Sequence, residues 1–219
     1  MDFCQNASRR VKVLQAKSRR SITDCFRLRH QAYCEGECPL EPYQYDGLER
    51  DSWDEYAVHA LALLDGDPYA TMRLVPSVSR GGELLLPMLE HCKVASEVPL
   101  PKAVEFSRWA CPKREAANEP VQRHAANLQS YVRARLLILL ISSGVEMGRT
   151  YGMFLAEPKL PKCLMRLGIV LNQIGEEVPF KGVRAPFGLS LDALLAQVAE
   201  CDSGLLYLLR PGEMPNVAD

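Results

Sequence analysis

The chain has 219 residues, 47% of them hydrophobic, and its 26 basic and 27 acidic side chains leave a formal net charge of -1. That length buries a core within one domain, and the balanced charge supplies no global field toward nucleic acid or an anionic membrane. Eight cysteines at scattered spacings, without a CxxC pair or partner histidines, argue against a metal site and read as reduced thiols of a cytoplasmic protein. No apolar signal segment opens the chain. The longest apolar run, Leu136 to Ile141 extending weakly to Val145, falls short of the ~20 residues of a spanning helix, so no stable membrane insertion is expected.

After an N-terminal segment (1–18), Ser21 to Asp24 has the character of a capping box ahead of a helix over Cys25–Tyr33, with Phe26, Arg29 and Tyr33 at near-helical spacing. Residues 36–50, rich in glycine, proline, acids and tyrosine, form a candidate lid loop. Tyr56–Leu64 and Tyr69–Val75 are extended arms joined by Asp65-Gly66-Asp67-Pro68, which predicts an antiparallel hairpin with Arg73 on its second arm. His59 on the first arm reads as a satisfied core histidine. After a Gly81-Gly82 break, Ala103–Cys111 reads as a strand. Strict alternation places Glu105, Ser107 and Trp109 on one face and Phe106 and Arg108 on the other.

The second half opens with a long helix over about Val121–Gly148 and a short strand, Tyr151–Ala156. A helix over Pro158–Leu167, closed by Gly168, follows. Ile169–Ile174 and Val178–Val183 are apolar and extended, Ser190–Cys201 reads as a final helix, Leu205–Leu209 as a last strand and 211–219 as a tail. Mixed strands and helices with an early hairpin define an α/β (α+β) chain, one domain over 1–219.

Arg29, Arg73 and Arg108, with Glu49, Asp51, Asp54 and Glu105, lie in or beside segments that otherwise look buried. An uncompensated buried charge is costly, so these residues must compensate one another. Convergence of three arginines and four carboxylates from separate segments marks a candidate active site.

Four spaced motifs carry a resemblance: Phe26-Arg27-Leu28-Arg29, Glu49-x-Asp51-x-x-Asp54, Ala70-Thr71-Met72-Arg73-Leu74-Val75-Pro76 and Glu105-Phe106-Ser107-Arg108. In this order they resemble the autoinducer-synthase-like branch of the GNAT acyltransferase superfamily. Within that branch, His30–Glu35, the Asp54 to His59 spacing, Glu105–Lys113, Glu157-Pro158, Arg166–Ile169 and Gly182–Pro186 are similar to bacterial N-acyl amino acid synthases and to acyltransferases associated with PEP-CTERM/exosortase systems. The chain departs from homoserine-lactone synthases just after the first helix, where Cys34-Glu35-Gly36-Glu37-Cys38 stands in place of their tryptophan.

The resemblance implies a single-domain GNAT-like fold: a central, mostly antiparallel, twisted mixed sheet flanked by helices, with a splayed strand pair bordering the Glu105 strand. It implies an N-acyltransferase that moves a medium or long fatty-acyl chain from acyl carrier protein to the α-amine of an amino acid or similar small amine, without a cofactor. Glu105 would act as base, with Ser107 hydrogen-bonding beside it, and Arg29, Tyr33, Glu49, Asp51, Asp54, Arg73 and Arg108 would shape the acceptor side. The stretch Cys111–Pro120 lacks the glycine-rich turn that cradles a coenzyme A pyrophosphate, which favours the carrier protein as donor. Lys113, Arg114 and Arg123, with Arg133 and Arg135, would receive its acidic docking helix. Leu136, Leu137 and Leu140 read as core or as acyl pocket. The alternatives are an acyl-homoserine-lactone synthase using S-adenosylmethionine and a non-catalytic acyl-carrier or lipid-binding module.

Overall fold

The computed structural model describes residues 7, 9–35, 41, 45–112, 119–165 and 168–200, with the backbone alone at 119–125, 127, 198 and 199. Two strands, β1 (Val11–Ala16) and β2 (Val58–Leu64), pair antiparallel, and β2 pairs in turn with β3 (Asp67–Pro76). The turn between β2 and β3 puts Asp65 and Gly66 at φ 54° and 95°, the doubly left-handed conformation whose twist matches that of the strands. The predicted hairpin is thus present. From Tyr69 to Val75 every residue of β3 is buried, because both faces of the strand are covered, and a near-continuous apolar run replaces alternation.

Helix α1 (Arg19–Tyr33) covers one face. It starts earlier than the sequence predicts: Ser18 is its cap, accepting a hydrogen bond from the Ser21 backbone N–H at 3.1 Å, and Ser21 lies in the first turn. A small hairpin, β4 (Val78–Arg80) and β5 (Glu83–Leu85), turns at Gly81-Gly82. Strand β6 (Ala103–Ala110) then pairs antiparallel with β3.

A crossover through α2 (Glu119–Glu146) leads to β7 (Tyr151–Ala156), which lies parallel to β6. The 128–146 stretch of α2 is apolar and long enough to cross a membrane by composition, but it packs on the opposite sheet face from α1, with Tyr131, Leu136, Leu137, Ile138, Leu140 and Ile141 all at 1% exposure or less. Beyond it come α3 (Leu160–Met165), the short strands β8 (Asn172–Gln173) and β9 (Val178–Pro179), β10 (Val183–Ser190) and α4 (Leu191–Glu200). The sheet order is β1-β2-β3-β6-β7-β10-β8, with β9 on β10; all these pairs are antiparallel except β6–β7.

The expected long strands over 169–174 and 178–183 shrink to two residues each, and the major C-terminal strand is β10, which the sequence reading passed over. Pro186 and Gly188 disguise it. Pro186 keeps its carbonyl available to Ile174, and Gly188 gives room to Tyr151, whose hydroxyl would lie 2.4 Å from any Cβ there. The proposed strand Leu205–Leu209 and the tail lie outside the described residues.

The pairing of β6 with β7 is brief: Ala103, Val104 and Glu105 match Tyr151, Gly152 and Met153, and no further rung follows. Phe106–Ala110 stays on β3 and Phe154–Ala156 on β10, so the two strands part company after Glu105. This is the splayed pair that the resemblance implies.

Candidate active site

Three arginines and three carboxylates interlock on the α1 face of the sheet. Arg29, with its side chain 1% exposed, donates from Nη1 and Nη2 to the two oxygens of Asp54 at 2.7 and 3.0 Å, and from Nε to Glu49. Arg73 donates from Nη1 to Asp51 at 2.6 Å and to Asp54 at 2.7 Å. Arg108 donates to Glu49 at 3.1 Å and to Asp51 at 3.0 Å. Asp51 and Asp54 also cap a 3-10 turn, Ser52–Glu55, reciprocally: Asp51 accepts from Trp53 N–H and Asp54 from Asp51 N–H. One turn thereby fixes both carboxylates.

Burial alone would push Asp54 up, but hydrogen bonds and charge from Arg29, with Arg73 behind them, hold it far below the usual carboxylate range. His59 is buried beside it, with Nε2 3.7 Å from Asp54 Oδ1 and the edge of the ring against Phe26. Burial lowers its pKa to about 4, so it is neutral at pH 7. It is a core residue as expected, but its Nδ1 has no hydrogen-bond partner. Tyr33 closes the cluster from the end of α1 by donating its hydroxyl to the Trp109 carbonyl.

Arg108 reaches this cluster only because β6 breaks its alternation. Thr71 pairs with Ala110 while Arg73 pairs with Ser107, so β6 holds one extra residue there, and Arg108 takes φ 53°. Such a bulge re-aims side chains. The expected faces are therefore corrected: Arg108 joins Glu105 and Ser107 on the α1 side, and Trp109 turns to the α2 side, where the Arg133 guanidinium lies 4.8 Å from its ring centroid.

Glu105 differs from every carboxylate of the cluster. It is 4% exposed, and among the described residues no cation bonds it directly. Its Oε2 accepts the Met88 backbone N–H at 2.6 Å, and the Ser107 hydroxyl, which accepts from Arg73 Nε at 3.3 Å, donates toward it. Burial dominates and pushes its pKa up to about 7, against the lowering pull of Met88 N–H and Arg73. It can therefore hold or release a proton near neutral pH. It also stands at the last rung before β6 and β7 diverge.

Residues the sequence reading did not single out complete the surroundings. Met88 enters from the 3-10 turn Pro87–Glu90, a contact with no sequence signal. Glu41 lies between Arg108, at 3.2 Å, and Lys181 of the loop before β10, which donates to the same oxygen. Lys113 and Arg114, and the side chain of Arg123, lie outside the described residues, as does most of the candidate lid (36–40 and 42–44). Arg135 does not belong to a docking surface: it is buried and donates to Tyr131 Oη at 3.0 Å.

No protein-family model and no curated protein matches the sequence. Solved structures match the fold. The acyl-homoserine-lactone synthase LasI is similar with a TM-score of 0.59 at 14% identity, over 83% of this chain and 89% of LasI. MesI, a CoA-dependent acyl-homoserine lactone synthase, gives 0.57 at 18% identity over 95% and 97% of the two chains. FeeM, an N-acyl amino acid synthase from uncultured soil microbes, gives 0.55 at 14% identity over 86% and 94%. The chain thus shares the GNAT-like fold of these structures.

Proposed function

We propose that the protein is an N-acyltransferase that joins a fatty-acyl thioester to the α-amine of an amino acid or similar small amine. The observation that carries this reading is the place of Glu105: a buried carboxyl, poised near pH 7, at the root of a strand splay. Two strands that part expose backbone groups with no sheet partner, which an extended thioester donor can pair with. An amine is protonated at neutral pH and must lose that proton before it attacks, and a carboxylate with a pKa near 7 is matched to take it. The amine nitrogen attacks the thioester carbonyl, Glu105 accepts the proton, and the tetrahedral intermediate collapses with the thiolate leaving and taking up a proton. Backbone N–H groups around the Arg108 bulge would stabilise the oxyanion.

Arg108 is the accessible arginine of the cluster, 22% exposed against 1% for Arg29 and Arg73. The Glu41 carboxylate between it and Lys181 marks a position that the carboxylate of an amino-acid acceptor could take over. Acyl carrier protein is the donor we favour, since no glycine-rich turn follows β6; coenzyme A thioesters, used by MesI, are the competing donor. The fold of LasI and MesI also keeps open a second reading, acylation of S-adenosylmethionine followed by lactonisation.

The test is mass spectrometry of product formed by the purified protein from acyl-carrier and coenzyme A thioesters with a panel of amino acids and S-adenosylmethionine. An N-acyl amino acid confirms the reading. Release of methylthioadenosine replaces it with the lactone reading, and absence of any amide overturns both.

A further inference from the structure

The stripe of α2 that faces the sheet runs Arg133, Leu136, Leu137, Leu140, the i, i+3, i+4, i+7 pattern of a core face. Three of its members are buried at 1% exposure or less. The fourth is an arginine, set where a core residue belongs, at the level where β6 has left β7. Its guanidinium stacks on Trp109 with 4.8 Å from Cζ to the ring centroid, which fixes its plane. Nε is buried without a hydrogen-bond partner, and among the described residues no carboxylate pairs with it. Burial lowers its pKa, and the groups that face it electrostatically are the thiols Cys111 and Cys163 and the phenol of Tyr33. A guanidinium held this way, partly desolvated and without a carboxylate among the described residues, is costly on its own and complementary to an oxyanion brought by a ligand.

We propose that Arg133 binds the phosphate of the donor's pantetheine arm, at the open end of the β6–β7 splay. This rests on the acyl-thioester reading above and adds where the arm's charge is received. The two parts of the donor have different needs, and the α2 side of the splay offers both. Phe106 and Phe154, stacked with 5.1 Å between centroids next to the last rung, make an apolar floor suited to a fatty chain. Beyond them, among the described residues, the α2 side carries the charge of Arg133, which a hydrocarbon cannot use. From Ser107, Trp109 is roughly 7 Å and Cys111 roughly 13 Å along the strand, a separation that an extended pantetheine arm spans. Acyl carrier protein and coenzyme A present the same phosphate at the same distance from sulfur, so the site serves either donor, and Arg133 recognises the arm rather than its carrier.

The experiment is calorimetric titration of the whole protein with 4′-phosphopantetheine, with pantetheine and with coenzyme A, alongside tryptophan fluorescence as a report on Trp109. The wild-type protein should bind the two phosphorylated ligands at least tenfold more tightly than pantetheine. Arg133→Met keeps a stem over Trp109 and should erase that gap while leaving pantetheine affinity unchanged; Arg133→Lys should keep part of it, and thermal unfolding checks that both variants fold. A gap that survives in Arg133→Met, or equal binding of all three ligands by the wild-type protein, overturns the role of Arg133 alone. If none of the ligands binds, the thioester reading falls and this assignment with it. Preference for coenzyme A over 4′-phosphopantetheine, with the gap to pantetheine erased in Arg133→Met, supports the site and identifies coenzyme A as its source of phosphate.

Discussion

The site contains two kinds of carboxylate, those bound by arginines and one that is not. Glu49, Asp51 and Asp54 are each held by two arginines, and Asp54 is kept well below the usual carboxylate range; Glu105, on the same face, has no ion-pair partner among the described residues and is pushed up to about 7. Charges that cancel in place fix geometry and are poor proton carriers. A charge left without its counter-ion weakens the fold locally and gains a useful pKa. On the proposed reading, function and stability fall to neighbouring groups of the same chemistry, and substitution can pull them apart.

The largest effect is expected at Glu105. Glu105→Gln keeps shape and burial, and amide formation should fall by about 10²- to 10⁴-fold with the unfolding midpoint held or raised, measured by steady-state kinetics and denaturant titration. Arg29→Met should do the reverse to the fold: it leaves Asp54 and Glu49 with one arginine each, Arg73 and Arg108, and should cost about 3 kcal/mol in chemical denaturation. Either residue behaving like the other would dissolve the division between them.

Protonation sharpens the contrast. Glu105 binds a proton more tightly folded than unfolded, so its contribution to stability is full below about pH 4, declines as pH rises toward 7 and is gone above; the whole change is about 3 kcal/mol. Asp54 has the opposite sign, since its stabilisation is present above the unfolded pKa near 4 and is lost as pH falls below it. The wild-type curve minus that of Glu105→Gln should therefore slope downward between pH 4 and 7, while catalysis rises to a plateau through about pH 7. The smallest effects are expected at the rim. Lys181→Ala should raise KM for an amino-acid acceptor several-fold without changing kcat, and the exposed pair Arg10–Asp65 should tolerate Asp65→Asn with a midpoint within error of the wild type.

Much of this division could be read from the residues. The Asp65-Gly66 turn, the three-arginine pattern and the Glu105–Ser107 alternation follow from local chemistry and from periodicity. What escaped is what depends on a neighbour. Arg108 lies on the opposite face from the one its parity predicts, because the extra residue in β6 is defined only against β3. Strand β10 looked broken because Pro186 and Gly188 make sense only once Ile174 and Tyr151 lie beside them. The Met88 N–H that holds Glu105 comes from a segment with no marker of its own. Arg133, expected on a basic docking surface, instead lies over the Trp109 ring, a placement that depends on the bulge turning Trp109 toward α2.

The three rungs between β6 and β7 also have a mechanical meaning. Among the described residues they are the only backbone ladder joining the plate β1-β2-β3-β6 to the plate β7-β10-β8, so the sheet is built like a pair of tongs with its pivot at Ala103–Glu105. From that pivot to the tip of β6 is roughly 16 Å, so a slight rotation at the rungs becomes a wide travel at the jaws. Glu105 stands on the pivot itself, the place that such a rotation would displace least.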